Sequence, residues 1–296
     1  MTAVYASATA LPAHRRRPGR ITRLPCSRPP GKIASVLTAR EVERFIADGY
    51  VYLPEAFPRA LADECRGFLW RETGLDPGEP ATWTKPVIRL DGYGGSLFNA
   101  AVNTTALHEA FDQLVGPGRW VPRTGLGTFP IRFPHPDDPG DAGWHMEGSY
   151  CVEGERGYQL NLRSRARALL MLFLFSEVGP DDAPTRIKAG SHLDVPPFLE
   201  AAGDRGMGFG AACAAMDAAG KLDSPDRELA LATGRPGDVY LCHPFLIHSA
   251  QKHRGREPRF MAQPPLDPVA PLELRRADGA YSPVELAVLR GLGTPA

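Results

Sequence analysis

The chain has 296 residues, of which 43% are hydrophobic and 23% charged, enough apolar material for a sizeable buried core and too much for wholesale disorder. Thirty-four Lys and Arg balance thirty-four Asp and Glu, which removes the chain-wide positive field that non-specific nucleic-acid binding relies on. No apolar run approaches the ~18 residues of a membrane span; the longest, Ala168 to Phe175, reads as a buried strand.

The zero charge averages two unlike parts. Met1 to Arg40 carries eight basic residues and no acidic one, leaving 26 basic against 34 acidic beyond it. Residues 1–36 are rich in Arg, Pro, Ser and Ala without apolar periodicity, and are expected to form a basic, disordered tail. A nucleic-acid arm or a transit peptide is the alternative, although the prolines between Leu11 and Pro30 spoil an amphipathic helix. Five cysteines without a Cys-x-x-Cys pair, and no hydrophobic leader, point to a reducing, cytoplasmic setting.

Order is expected from Thr38, where Thr38 and Glu41 form a capping box and Val42, Phe45 and Ile46 make one helical face ending at Gly49. A strand, Tyr50 to Leu53, follows, then a helix opened by Pro58 and stopped near Gly74. From about Pro86 the texture is expected to be β-rich: Thr128 to Phe133, Ala168 to Phe175, Thr185 to Lys188, Val239 to Cys242 and Arg259 to Gln263 are short runs separated by Gly, Pro and Asp. That succession reads as a β-sandwich or barrel with flanking helices, spanning 37–270. Residues 193–234, rich in Ala and Gly, are expected to be an insertion between two strands, either a lid over a substrate or a surface elaboration. A capping box at Ser282 and Glu285 starts a helix through Arg290 in a C-terminal extension, 271–296.

The segment Gly143 to Tyr150 carries the most chemistry. On an extended strand His145 and Glu147 project from one face, bringing an imidazole and a carboxylate together. A facial triad of two histidines and one carboxylate needs one further imidazole from a remote strand, leaving three adjacent coordination positions open. His248, closing the apolar run that follows the Pro236-Gly237-Asp238 turn, fits that role better than His243, which falls on the opposite side of a regular strand. Arg259, eleven residues beyond His248 at the start of a returning strand, offers a planar guanidinium suited to clamp the far carboxylate of a dicarboxylic acid. Arg254 and Arg256 are the alternatives, in what reads as an exposed turn.

These elements, with the entry sequence Leu37 to Pro54, resemble the phytanoyl-CoA dioxygenase (PhyH-like) family of Fe(II)/2-oxoglutarate oxygenases. The resemblance runs from Leu37 to Pro265. Its landmarks are the first helix and the Asp-Gly-Tyr-Val strand, Trp144-His145-x-Glu147, Ala189-Gly190-Ser191-His192 in place of a Pro-Gly-Ser-His turn, Gly237-Asp238, the His243 to His248 run, and Arg259. It implies a double-stranded β-helix (jelly roll) with N-terminal helices, and Fe(II) held by His145, Glu147 and His248. It further implies 2-oxoglutarate on Arg259, O2 as oxidant, and a structural rather than ligating His192. The implied reaction is hydroxylation of an unactivated C–H bond of a small molecule with release of succinate and CO2, by a monomer or homodimer without nucleic-acid or membrane partners. The family mostly carries Asp where this chain has Glu147; the halogenases of the superfamily carry Gly or Ala there, so a carboxylate argues for oxygenation. A cupin-type isomerase or lyase would share the barrel but lacks its close His-x-His pair here, and a non-catalytic binding barrel would not need all three ligands. Arg132, Arg186, Trp144 and Tyr150 are candidate substrate contacts, with ordinary ion pairs or packing as the plainer alternative. A composition rich in Arg, Ala, Gly and Pro suggests bacterial coding and a role in secondary metabolism.

Overall fold

In the computed structural model, which describes residues 37–294, the chain opens as its capping signals require; the expected basic tail, 1–36, lies outside the described residues. Helix α1 (Ala39–Asp48) is closed at its start by Thr38, whose Oγ1 accepts from Glu41 N–H while Glu41 Oε2 accepts from Thr38 N–H. It ends on Gly49 at φ 83°, where a Cβ would come within 2.7 Å of Leu246; a left-handed turn in so tight a place selects glycine. Strand β1 (Tyr50–Leu53) follows, then α2 (Arg59–Thr73) between Pro58 and Gly74.

After β2 (Val87–Leu90) the β-rich expectation fails for a stretch: α3 (Gly95–Val102) and α4 (Thr105–Leu114) are helices. Leu107, Ala110, Phe111 and Leu114 are all buried at helical spacing, and Thr104 caps α4 by accepting from Leu107 N–H. The burial of that one face outweighs the breaking character of the glycines around residues 92–95.

The remaining strands are β3 (Phe129–Arg132), β4 (Tyr150–Cys151), β5 (Tyr158–Leu160), β6 (Leu169–Leu174), β7 (Arg186–Lys188), β8 (Met207–Gly208), β9 (Leu229–Leu231), β10 (Val239–Cys242), β11 (His248–Ser249), β12 (Met261–Ala262) and β13 (Pro265–Leu266). The larger sheet runs β1-β10-β6-β12, with β13 also on β6, and the smaller runs β11-β7-β9; every pairing is antiparallel. Central β6 explains the long apolar run, because it is buried on both faces. Leu169, Met171 and Phe173 pack outward with Phe45, Phe57 and Leu241 of the helix-covered layer, while Leu170, Leu172 and Leu174 pack inward with Ile187 and Ala230 of the facing sheet and Leu246 of the turn before β11. At roughly 1.5–3 kcal/mol for each such side chain removed from water, β6 is the element around which both layers assemble. The result is the expected mainly-β double-stranded β-helix with flanking helices.

The stretch 193–234 contains helices α5 (Pro196–Glu200) and α6 (Phe209–Ala218) and strand β8, which pairs with β5. Its last part differs from expectation, since β9 pairs with β7 as a strand of the smaller sheet. Helix α7 (Pro283–Gly291) has the expected capping box, and Val284, Ala287 and Val288 are buried. It packs on α1 and belongs to the core.

Candidate metal centre

Backbone pairing builds the site. His145 N–H donates to His248 O (3.0 Å) and His248 N–H donates to His145 O (2.9 Å), an isolated antiparallel pair in the loop before β4 and at β11. Residues paired in this way point their side chains to the same side, and the two imidazole centroids lie 4.5 Å apart. Glu147 returns to that side two residues on, while Met146 between them is fully buried. Its Oε1 lies 3.3 Å from His248 Nε2. Ligand atoms of His145, Glu147 and His248 all fall within 4.8 Å of one another.

Both rings are oriented by carbonyls: Nδ1 of His145 lies 2.9 Å from Gly143 O, and Nδ1 of His248 lies 2.9 Å from Leu246 O. A carbonyl only accepts, so each Nδ1 carries a proton and Nε2 is the nitrogen through which each ring, when neutral, can ligate a metal. Charge follows the same logic. Burial works against ionisation of Glu147, but Arg167 first and then the two histidines outweigh it and hold the carboxyl well below its ordinary range. Burial, then the neighbouring His248, lowers the pKa of His145. An ionised carboxylate beside a neutral imidazole is the state in which these groups ligate.

Arg259 is fully buried on the inward side of the strand leading into β12. It donates from Nη1 to Ala183 O (2.5 Å) and from Nη2 to Pro130 O (3.0 Å), while its Nε has no partner. Directly across the ladder stands Arg132, joined to it by a pair of backbone hydrogen bonds. Arg132 donates from Nη2 to Asp141 (2.6 Å) and leaves Nε and Nη1 unpaired; Arg89 pairs with the same carboxylate. Asp141 is thus shared by buried Arg132 and half-exposed Arg89, and it reaches Arg259 only through its charge. Burial and then the charge of Arg132 push the pKa of Arg259 well down, the mark of a place short of negative charge. Arg254 and Arg256 are exposed.

The other sequence candidates are placed as follows. His243 and His192 are buried 4.9 Å apart behind the larger sheet; their Nε2 atoms pair with Val284 O and Ile46 O, away from the triad. Trp144, half-buried beside His145, lies under Arg186 (4.7 Å) and Lys188 (4.8 Å), and Arg186 also donates to Ala142 O and Ala250 O. Tyr150 is buried, with its hydroxyl donating to Arg205 O (2.6 Å), so it ties down the loop before β8. Arg132 belongs with Arg259 rather than apart from it.

Four neighbours of the site carry no signal in the sequence. Arg167 pairs with Glu147 at 3.2 Å. Asp141 anchors the two buried arginines' side of the site through Arg132. From α6, Phe209 sets its ring edge-on to His145 at 6.3 Å and Cys213 packs against the buried cluster that includes Met146. Each of these contacts joins separate elements, and no spacing within one segment announces it.

The fold is a jelly roll that solved structures share. HygX from Streptomyces hygroscopicus, solved with nickel and 2-oxoglutarate bound, is 18% identical, with a TM-score of 0.52 over 83% of this chain and 96% of that one. EctD from S. alaskensis, solved with 2-oxoglutarate and 5-hydroxyectoine, is 20% identical, with a TM-score of 0.47 over 77% of this chain and 74% of that one; the fold assignment rests on the first likeness. No protein-family model matches the sequence, and no curated relative does.

Proposed function

We propose that this chain is an Fe(II)/2-oxoglutarate-dependent oxygenase of the PhyH-like kind, hydroxylating an unactivated C–H bond of a small-molecule metabolite with release of succinate and CO2. The observation that carries the reading is the convergence of His145 Nε2, Glu147 Oε1 and His248 Nε2, with both histidine tautomers fixed by carbonyls. Two nitrogens and one carboxylate oxygen on one side suit Fe(II) that must keep open positions. The buried unpaired donors on Arg259 and Arg132 suit the distal carboxylate of 2-oxoglutarate. The 2-oxoglutarate held by HygX accords with this.

Bound here, the iron would supply the O2 chemistry that breaks the C–H bond. The protein's part is positioning. His145, Glu147 and His248 hold the metal from one side, and Arg259 orients the co-substrate. Phe209, with the half-buried Trp144 nearby, walls the site from water, giving the stretch around α6 the role of a lid. Arg186 and Lys188 over Trp144 stand at the edge where a small substrate would enter.

Anaerobic addition of Fe(II) and 2-oxoglutarate should produce a weak visible charge-transfer band, and a metabolite screen should find substrate-stimulated succinate. Glu147→Ala should lose both. Absence of the band in the wild-type protein, or undiminished turnover in Glu147→Ala, would refute the proposal.

A further inference from the structure

Glu147 presents its two oxygens to different partners. Oε1 lies 3.3 Å from His248 Nε2, and Oε2 lies 3.2 Å from Arg167 Nη2. Arg167 stands just before β6 with its side chain 12% exposed, and its Nε and Nη1 are buried without a hydrogen-bond partner. Among the described residues Glu147 is the carboxylate that pairs with it. The nearby Arg123 is committed elsewhere, donating to Gly125 O, Pro265 O and Asp267. This guanidinium is therefore spent on one oxygen of one metal-ligand carboxylate.

The consequence concerns coordination number. A carboxylate binds a metal through one oxygen or two, and a facial triad leaves three open positions only when its carboxylate gives one. A 2-oxo acid chelating through two atoms and O2 at the third use all three. A second oxygen from Glu147 would close one of them. Glutamate has an extra rotatable bond compared with aspartate, so it needs more restraint to stay a single-oxygen ligand. We propose that Arg167 is the positioning residue that keeps Glu147 a one-oxygen ligand, by holding Oε2 while Oε1 faces His248. The inference deepens the metal-centre reading and rests on it.

The test uses the full chain loaded anaerobically with Co(II) or Fe(II), so that no turnover is needed. Arg167→Met and Arg167→Lys are compared with wild type for metal affinity, for the Co(II) visible spectrum before co-substrate is added, and for 2-oxoglutarate affinity of the metal-loaded protein. The expected result is that Arg167→Met still binds metal, has an altered Co(II) spectrum, and binds 2-oxoglutarate about ten- to a hundredfold more weakly. Lysine, keeping a charge near Oε2, should recover most of that loss. If the methionine variant does not fold, Arg167→Gln takes its place with the same expectations. Wild-type 2-oxoglutarate affinity and spectrum in the folded neutral variant would overturn the proposal. So would complete loss of metal, which would mean that Arg167 holds the whole carboxylate in place rather than selecting one oxygen. A lysine variant as impaired as methionine would also overturn it, by showing shape rather than charge at work. A wild-type protein that binds neither metal nor 2-oxoglutarate would instead refute the metal-centre reading.

Discussion

Asp238 joins the turn before β10 to strand β1, and removing its carboxylate should cost a measurable share of the folding free energy. The residue is 2% exposed. Its Oδ2 accepts from Tyr52 Oη (2.5 Å) and Arg235 N–H (2.7 Å), and its Oδ1 accepts from Glu55 N–H (2.9 Å). A hydrogen bond to a charged acceptor is worth roughly 1.5–3 kcal/mol net, and a buried donor left unpaired costs about 1–3 kcal/mol. Glu55 and Arg235 are both exposed, so water can replace their two bonds. The Tyr52 bond then decides the result, and Asp238→Ala should lose about 1.5–3 kcal/mol, against a total of roughly 5–15 kcal/mol for a typical native protein. Asparagine keeps one carbonyl for Tyr52 and Arg235 but turns its amide toward the N–H of Glu55, and should lose about 1–2 kcal/mol. Urea unfolding gives both values from the midpoint at unchanged slope. Tyr52→Phe provides a coupling check: its cost of about 1 kcal/mol in wild type should vanish in the Asp238→Ala background. A loss below about 1 kcal/mol for Asp238→Ala, or an Asn variant as damaged as the Ala variant, would refute the reasoning.

Arg259→Met should leave Fe(II) binding intact but weaken 2-oxoglutarate by at least about a hundredfold, since two charge-assisted hydrogen bonds are lost; calorimetric titration of the Fe(II)-loaded protein without O2 checks this, and an unchanged affinity would remove Arg259 from the site. Acid should destabilise the fold through His192 and His243. Burial lowers His192 to about 3 and His243 well below its ordinary value, so both are neutral when folded and the unfolded chain binds more protons. Stability is then full above about pH 6.5 and falls as pH drops through the window toward about 3, by up to about 1.4 kcal/mol per pH unit for each histidine. Urea midpoints near pH 7.5 and near pH 5 should differ in wild type and differ less in His192→Gln; a wild-type midpoint that does not move would contradict the neutral buried pair.

Much of the local architecture was legible because its causes are local. Thr38 with Glu41 and Ser282 with Glu285 cap helices through contacts three residues apart, and Gly49 ends α1 by its own backbone freedom. Alternation put His145 and Glu147 on one side before any partner was known, and the run Ala168 to Phe175 read as a buried strand. Helix α4 carried an equally local signal in Leu107, Ala110, Phe111 and Leu114, hidden by the glycine-rich texture upstream. His243 illustrates the limit from the other direction: the regular strand expected to turn it away from His248 is absent, since residues 243–247 form a turn between β10 and β11, and the packed α7 supplies the carbonyl of Val284 that occupies it.

The sequence by itself determined the caps, the strand faces and the three residue types able to hold a metal. Tertiary structure alone decided that His145 lies opposite His248, that Arg132 lies opposite Arg259, and that Arg167 reaches Glu147 while Phe209 of α6 meets His145. The physical reason is one of range. Caps and alternation are contests between neighbours along the chain. Register between distant strands is set by which pairing buries the most apolar surface across both sheets at once, and a one-residue slip would turn His248 out of the site.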